Sequence, residues 1–309
     1  MGCRAAWGRV VDRVIRVGTR ASALARVQTQ SVVDSLLALG EFQVEIVPIT
    51  TGGDRSQSTN KPTDDWGTGV FVKELEAALL REDIDIAVHS LKDLPPLIPT
   101  ELTLAAFPIR EDPLDVLVTT GGVHLDELEP GARVGTSSAR RVAFLRAVRP
   151  DLQYLPIRGN VETRLRKMTN GEYSAVVLAS AGLRRLDLEV ASVVLEPELL
   201  PPAPGQGALA IQARAGDREI LGLVEPLHDP VTAAAVRAER RLMALLDGGC
   251  RLPVGALATP EGTALHLLGG YAADQESIRI DRVSGDFAQP EIVAETLAQR
   301  LQTRTRVHV

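Results

Sequence analysis

Apolar positions along the chain recur in two alternating rhythms. Val14–Val17 is a short apolar run. After Gly18-Thr19-Arg20-Ala21-Ser22, a helical pattern runs from Ala23 to Leu39, with Leu24, Val27, Leu36 and Leu37 among its apolar positions. Ser22 is placed to cap that helix and Gly40 to stop it. Val44–Ile49 predicts a strand. Val70–Arg81 predicts a helix with Phe71, Leu75 and Leu79 on one stripe. Ile84, Ile86 and Val88 predict a strand that runs into His89-Ser90-Leu91-Lys92-Asp93. This is the rhythm of a parallel α/β sheet.

The pattern restarts near Asp112. Asp115–Thr119, Ala132–Val134, Leu152–Ile157 and Ala175–Ala179 read as strands, and Ser138–Val148 and Val161–Met168 as helices. The proline-rich stretch Pro197–Pro204 interrupts it, and Gly205-Gln206-Gly207 leads into an apolar strand, Ala208–Ala213. A helix over Val231–Leu246 ends at Gly248-Gly249. From about Cys250 to Val309 the chain reads as a small α+β unit, with strands near Leu265–Leu268 and Ser277–Val283 and a last helix over Glu291–Leu301.

One internal echo changes this picture. Arg16-Val17-Gly18-Thr19 recurs as Arg133-Val134-Gly135-Thr136, each at a predicted strand end before a helix rich in small residues. Two similar lobes would each present backbone N–H groups there. Ligands of open α/β sheets bind outside the carboxyl ends of strands, against helix N-termini.

Composition narrows the function classes. The 309 residues are 45% hydrophobic, enough for two or three compact cores, and the net charge of −6 argues against a general nucleic-acid binder. No apolar run approaches a membrane span. Met1 to Arg13 lacks the apolar core of a signal peptide and is expected to be a ragged leader, with the cytoplasm as the expected compartment. Cys3 and Cys250 are the two cysteines, too few for a disulfide framework. The histidines at 89, 124, 228, 266 and 308 show no metal-ligand spacing, so no metal is expected. Gly205-Gln206-Gly207 follows prolines rather than a strand and is not a dinucleotide fingerprint.

Within this acidic chain, residues 131–166 are locally basic. Arginines stand at 133, 140, 141, 146, 149, 158, 164 and 166, opposed only by Asp151 and Glu162. Arg146, Arg149 and Arg166 read as a solvated helix face. Arg140, Arg141, Arg158 and Arg164 fall at predicted strand ends and helix starts, beside Thr136, Ser137, Ser138 and Asn160, and point to a small polyanion. Lys92 and Asp93 are either a surface ion pair or a carboxylate-binding lysine beside an aspartate that stabilises positive charge. His89 reads as a structural hydrogen-bonder beside them. Cys250, between Gly248-Gly249 and Arg251, reads as an exposed thiol near anions.

Seven segments in order resemble hydroxymethylbilane synthases (porphobilinogen deaminases). They are Gly18-Thr19-Arg20-Ala21-Ser22-Ala23-Leu24-Ala25, Phe71-Val72-Lys73-Glu74-Leu75-Glu76, Ala87-Val88-His89-Ser90-Leu91-Lys92-Asp93-Leu94-Pro95, Gly135-Thr136-Ser137-Ser138-Ala139-Arg140-Arg141, Arg158-Gly159-Asn160-Val161-Glu162-Thr163-Arg164-Leu165, Pro204-Gly205-Gln206-Gly207-Ala208 and Gly248-Gly249-Cys250. The resemblance runs from about residue 14 to 258 and weakens beyond it.

The resemblance implies an α/β fold of two type II periplasmic-binding-protein-like lobes around a cleft, plus a small α+β C-terminal domain. Domain 1 is expected over 13–107 with 207–225, domain 2 over 112–203, and domain 3, carrying the cofactor cysteine, over 246–309. It implies a transferase of tetrapyrrole biosynthesis that condenses four porphobilinogen molecules, with loss of ammonia, into linear hydroxymethylbilane. The growing chain is built on a dipyrromethane cofactor bound as a thioether to Cys250. Asp93 matches the residue that stabilises positive charge on pyrrole nitrogens, with Lys92, Arg20 and Arg158 beside it at the catalytic centre. Lys92, Arg140, Arg141 and Arg164 match the cofactor's carboxylate binders, with Thr136, Ser137, Ser138, Asn160, Ser90 and Asp93 also about the cofactor. Arg20, Ser22, Arg158, Arg164, Arg185, Phe71 and Gln206 match residues around the substrate. The partners implied are porphobilinogen and the growing polypyrrole, without nucleic acid or membrane, and the oligomeric state implied is a monomer.

One departure stands out. Asp65-Trp66-Gly67-Thr68-Gly69-Val70-Phe71 has Thr68 where many relatives carry lysine, in a stretch (about 55–69) expected to form a mobile lid. Two other functions remain in view: a two-lobed polyanion-binding protein without catalysis, and a cysteine hydrolase using Cys250, for which no local signature is present.

Overall fold

The computed structural model describes residues 14–49, 72–247, 253–272 and 278–303. Cys3, Phe71, Cys250 and the expected lid with Thr68 lie outside the described residues. The chain divides into two compact units, Met1–Pro108 with Leu209–Asp229, and Ile109–Ala208 with Pro230–Val309.

The first unit holds β1 (Val14–Arg20), α1 (Ala23–Leu37), β2 (Gln43–Ile49), α2 (Lys73–Leu80), β3 (Ile86–Ser90) and β4 (Leu102–Ala106). The returning chain adds β10 (Leu209–Arg214) and α6 (Arg218–Val224). Its sheet runs β2-β1-β3-β10-β4. β1 is parallel to β2 and β3, whereas β10 is antiparallel to both β3 and β4. Ile15, Val17, Ile86 and Val88 face Val32, Val33 and Leu36 of α1, and Ala87 faces Leu75 and Leu79 of α2 on the other side. Burial of these aliphatic side chains is the main stabilising term.

The second unit begins with β5 (Asp115–Thr119), β6 (Arg133–Gly135), α3 (Ala139–Val148), β7 (Gln153–Leu155), α4 (Val161–Thr169), β8 (Ala175–Ala179), α5 (Ser180–Arg185) and β9 (Ser192–Leu195). Its sheet runs β7-β6-β8-β5-β9, with β6 parallel to β7 and β8 and β5 antiparallel to β8 and β9. The two sheets therefore share one topology. β1 corresponds to β6, and the crossing strand β10 of the first sheet corresponds to β5 of the second.

The sequence echo falls on these equivalent strands. The Asp85 amide donates to the Arg16 carbonyl at 2.8 Å, and the Ser174 amide to the Arg133 carbonyl at 2.8 Å. A side-chain oxygen accepts in return, Asp85 Oδ2 from the Arg16 amide at 2.9 Å and Ser174 Oγ from the Arg133 amide at 3.4 Å. The echoed glycines permit close packing. A Cβ on Gly18 would lie 2.3 Å from Ile84 Cδ1, and one on Gly135 would lie 2.9 Å from Tyr173 Cδ1.

The expectation of parallel sheets is corrected. Each sheet is mixed, because the fourth strand in its order is a crossing segment that runs against the other four. The buried stripe of α1 is partly polar. Val27 and Leu37 are exposed, while Gln28 and Thr29 are buried with Val32, Val33 and Leu36. Thr29 Oγ1 donates to Thr19 Oγ1 at 2.7 Å, and Gln28 Oε1 accepts from Ser90 Oγ at 3.0 Å, so two polar residues take inward positions that apolarity alone assigns elsewhere.

The rest of the second unit is α7 (Pro230–Asp247), β11 (Val254–Glu261), β12 (Ala264–Ala272), β13 (Ile278–Asp286) and α8 (Pro290–Thr303). The three strands form an antiparallel sheet in sequence order. Leu242 and Leu246 of α7 and Leu297 and Leu301 of α8 pack on it with Leu265, Leu267 and Val283. A Cβ on Gly269 would stand 2.4 Å from Leu242 Cδ2, so the glycine lets the helix lie close.

Candidate functional site

In the first lobe the site forms at the end of β3. A one-turn 3-10 helix over Leu91–Asp93 follows the strand directly, with Leu91 fully buried. Anchored by Leu91, the turn leaves Lys92 and Asp93 half-buried. Arg20, at the end of the neighbouring β1, extends to the same place: Arg20, Gln28, His89, Ser90 and Asp93 line one pocket. Arg20 Nη1 lies 3.9 Å from Asp93 Oδ2, beyond hydrogen-bond length, and the Asp93 side chain is 39% exposed. Ser22 Oγ accepts the Ala25 amide as the α1 cap, and Ser90 Oγ is turned to Gln28. Burial pushes the His89 imidazole down to about 4, and the positive charge of Arg20 adds to the effect, so His89 is neutral at pH 7.

In the second lobe, the turn after β6 caps α3 with its own side chains. Ser138 Oγ accepts the Arg141 amide, Thr136 Oγ1 accepts the Ser138 amide, and Ser137 Oγ donates to the Ile157 carbonyl at 2.7 Å. Asn160 Oδ1 caps α4 through the Thr163 amide at 2.9 Å. Arg158 is exposed. Arg164 is held by its Nε on the Gly159 carbonyl at 2.9 Å, and burial followed by the charge of Arg141 lowers its pKa.

Arg140 and Arg141 are almost wholly buried, with Asp115 between them. Arg140 Nη2 reaches Asp115 Oδ2 at 2.6 Å, and its Nη1 donates to the Pro201 carbonyl at 2.6 Å. Arg141 donates to Asp115 Oδ1 from Nε at 3.2 Å and Nη2 at 2.6 Å, and to the Val177 carbonyl from Nη1 at 2.6 Å. Burial alone would raise the Asp115 pKa. The charges of Arg141 and Arg140 overturn this, holding the carboxyl well below the usual carboxylate range.

Gln206 belongs to the same cluster. Its Nε2 donates to Asp115 Oδ1 at 3.0 Å and to the Pro113 carbonyl at 2.7 Å, with the residue 1% exposed. Arg185 Nη2 donates to the Gly207 carbonyl at 2.7 Å.

The solvated face expected for Arg149 is not found. Its Nη2 binds the Leu128 carbonyl and Asp151 at 2.7 Å each, because the helix ends there and the side chain folds back over the preceding loop. Arg166 is exposed as expected, and Arg146 lies 5.9 Å over the Tyr154 ring.

Asp115 was not singled out from the sequence. As the first residue of an otherwise apolar strand, it resembles a solvated strand end. Glu239 was missed as well, although it falls four residues after Ala235 on the buried stripe of α7.

Comparison with known proteins adds the decisive observation. Residues 15–222 match the family described as porphobilinogen deaminase, dipyromethane cofactor binding domain, and residues 233–303 match the porphobilinogen deaminase C-terminal domain. The chain belongs to the porphobilinogen deaminase family. It is a transferase, and its matched N-terminal region is the family's cofactor-binding domain. It is 49% identical over 291 residues to porphobilinogen deaminase of Roseiflexus castenholzii, covering 93% of this chain and 95% of that one. Against the enzyme of the same name from Roseiflexus sp. it is 50% identical over 294 residues, covering 94% and 96%. Among solved structures, the Bordetella pertussis BvgS periplasmic VFT2 domain aligns at 20% identity with a TM-score of 0.40, over 69% of this chain and 85% of that one. Among the described residues, no helix is long and apolar enough to cross a membrane and no three or more His, Cys, Asp or Glu side chains are grouped to hold a metal ion.

Proposed function

We propose that this chain condenses four porphobilinogen molecules into linear hydroxymethylbilane on a dipyrromethane joined by a thioether to Cys250, acting as a cytoplasmic monomer. The observation that carries the proposal is buried positive charge in the second lobe. Arg140 and Arg141 share the carboxylate of Asp115, and the largely buried Arg164 adds a further positive charge close to Arg141. An excess of desolvated guanidinium groups is costly unless an anion completes it. A ligand carrying several carboxylates fits that excess.

When bound, the dipyrromethane supplies a tethered pyrrole carbon from which the product grows. The protein's own groups do the rest. Arg140, Arg141 and Arg164 hold carboxylates, and the N-terminus of α3 at Thr136, Ser137 and Ser138 adds its positive end. Asn160 orients the start of α4, which carries Arg164. Asp93 places a negative carboxylate where pyrrole N–H groups gain positive charge as ammonia leaves and the carbon–carbon bond forms. Arg20, Lys92 and Arg158 are assigned to substrate acetate and propionate groups, and Ser22, Arg185 and Phe71 to the substrate as well.

Asp93→Asn tests the role of the carboxylate. The variant should fold, acquire the cofactor mass and lose roughly a hundredfold or more in kcat. Turnover at the wild-type rate would refute the assignment.

A further inference from the structure

Resting on the cofactor site proposed above, we infer that Asp115 is a positioning residue that clamps Arg140 and Arg141 into one carboxylate-binding unit. The two arginines are consecutive on the first turn of α3. Consecutive helical residues point about 100° apart and do not face each other. Their guanidinium groups also repel. Both nevertheless converge, because each takes a different oxygen of one carboxylate: Arg140 holds Oδ2 and Arg141 holds Oδ1, each at 2.6 Å.

The clamp is itself fixed. Asp115 has no exposed surface, and Gln206 Nε2 adds a third donor group at Oδ1. The carbonyls of Pro201 and Val177 take a further donor from each arginine. The spacing between the two cations is therefore set by the width of a carboxylate.

The asymmetry of the clamp gives a specific consequence. Oδ1 accepts from Arg141 Nε, Arg141 Nη2 and Gln206 Nε2, whereas Oδ2 accepts from Arg140 Nη2 alone. In Asp115→Asn the amide oxygen will occupy the Oδ1 position, where three donors meet. Its NH2 then faces a donor on Arg140. The substitution releases Arg140 and keeps Arg141, so it should behave as a loss of Arg140.

The experiment follows acquisition of the two-pyrrole cofactor by intact mass. Full-length protein is made in a host that cannot make porphobilinogen and is then incubated with it. Wild type, Arg140→Met, Asp115→Asn and the double variant are compared, with a thermal melt of each as the folding check. The inference expects Arg140→Met and Asp115→Asn each to slow loading roughly tenfold, with the double variant no slower than Arg140→Met alone.

Wild-type loading by Asp115→Asn, while Arg140→Met is slow, overturns the clamp and leaves the cofactor site standing. Wild-type loading by Arg140→Met, or no loading by wild type, overturns the cofactor site and the clamp with it. If Asp115→Asn fails to fold, the double variant decides, since it restores the wild-type charge balance. Loading equal to that of Arg140→Met supports the clamp, and a further tenfold loss overturns it.

Discussion

Glu239, with no exposed surface, holds Arg110 in a two-pronged ion pair, Oε1 to Nη1 at 2.7 Å and Oε2 to Nη2 at 3.0 Å. The same carboxylate accepts the Gly205 amide at 2.7 Å and the Ala258 amide at 2.9 Å. One side chain of α7 thus ties the segment before β5, the segment before β10 and strand β11. Glu239→Ala would leave a buried guanidinium and two buried amides without their acceptor. The expected cost is about 3–5 kcal/mol, read as a lower midpoint in urea at unchanged slope. A loss under 1 kcal/mol would mean that the pair is not holding these segments.

Gly207 makes a second expectation. Its φ is +84°, and a Cβ there would lie 2.2 Å from the Glu111 carbonyl oxygen. The Gly207 carbonyl accepts both the Glu111 amide and Arg185 Nη2. Gly207→Ala therefore has to move backbone that positions Arg185 and, next door, Gln206. Lower thermal stability together with a raised KM for porphobilinogen is expected. A variant with the wild-type melting temperature would show that this backbone yields freely.

His89 makes the folded protein sensitive to mild acid. Its folded pKa of about 4 lies below the ordinary 6.5, so between these values the unfolded chain binds the proton that the folded chain refuses. The stability present above pH 6.5 is lost progressively as pH falls to 4, by roughly 3 kcal/mol in all. His89→Gln should flatten the stability-versus-pH curve in that window. An unchanged slope would show that the histidine is protonated in the folded state.

The two lobes were legible because their strands are short, apolar and followed by capped helices. β5 and β8 have the predicted bounds, and Ser22, Ser138 and Asn160 cap the helices after β1, β6 and β7. β4, β9 and β11 were not predicted. β9 is a four-residue edge strand, and β11 contains Gly255, whose missing side chain lets the chain approach the Pro201 carbonyl, so neither carries a long alternating pattern. The arginine cluster was visible as a charge anomaly, but its inward turn was not. Burial of Arg140 and Arg141 depends on Asp115 and on carbonyls at Val177 and Pro201, partners 25 to 61 positions away. The same holds for Arg110 and Glu239, 129 positions apart. Periodicity reports which face is apolar, and it is silent on which buried charges meet.

The proposed transferase builds on a cofactor carried by Cys250, and intact mass spectrometry reads that cofactor. Purified wild-type chain incubated with porphobilinogen is expected to gain the mass of two porphobilinogen units less two ammonia molecules, and Cys250→Ser to gain nothing. A wild-type chain that stays at its bare mass, or a Cys250→Ser chain that gains the same adduct, would show that Cys250 carries no such cofactor.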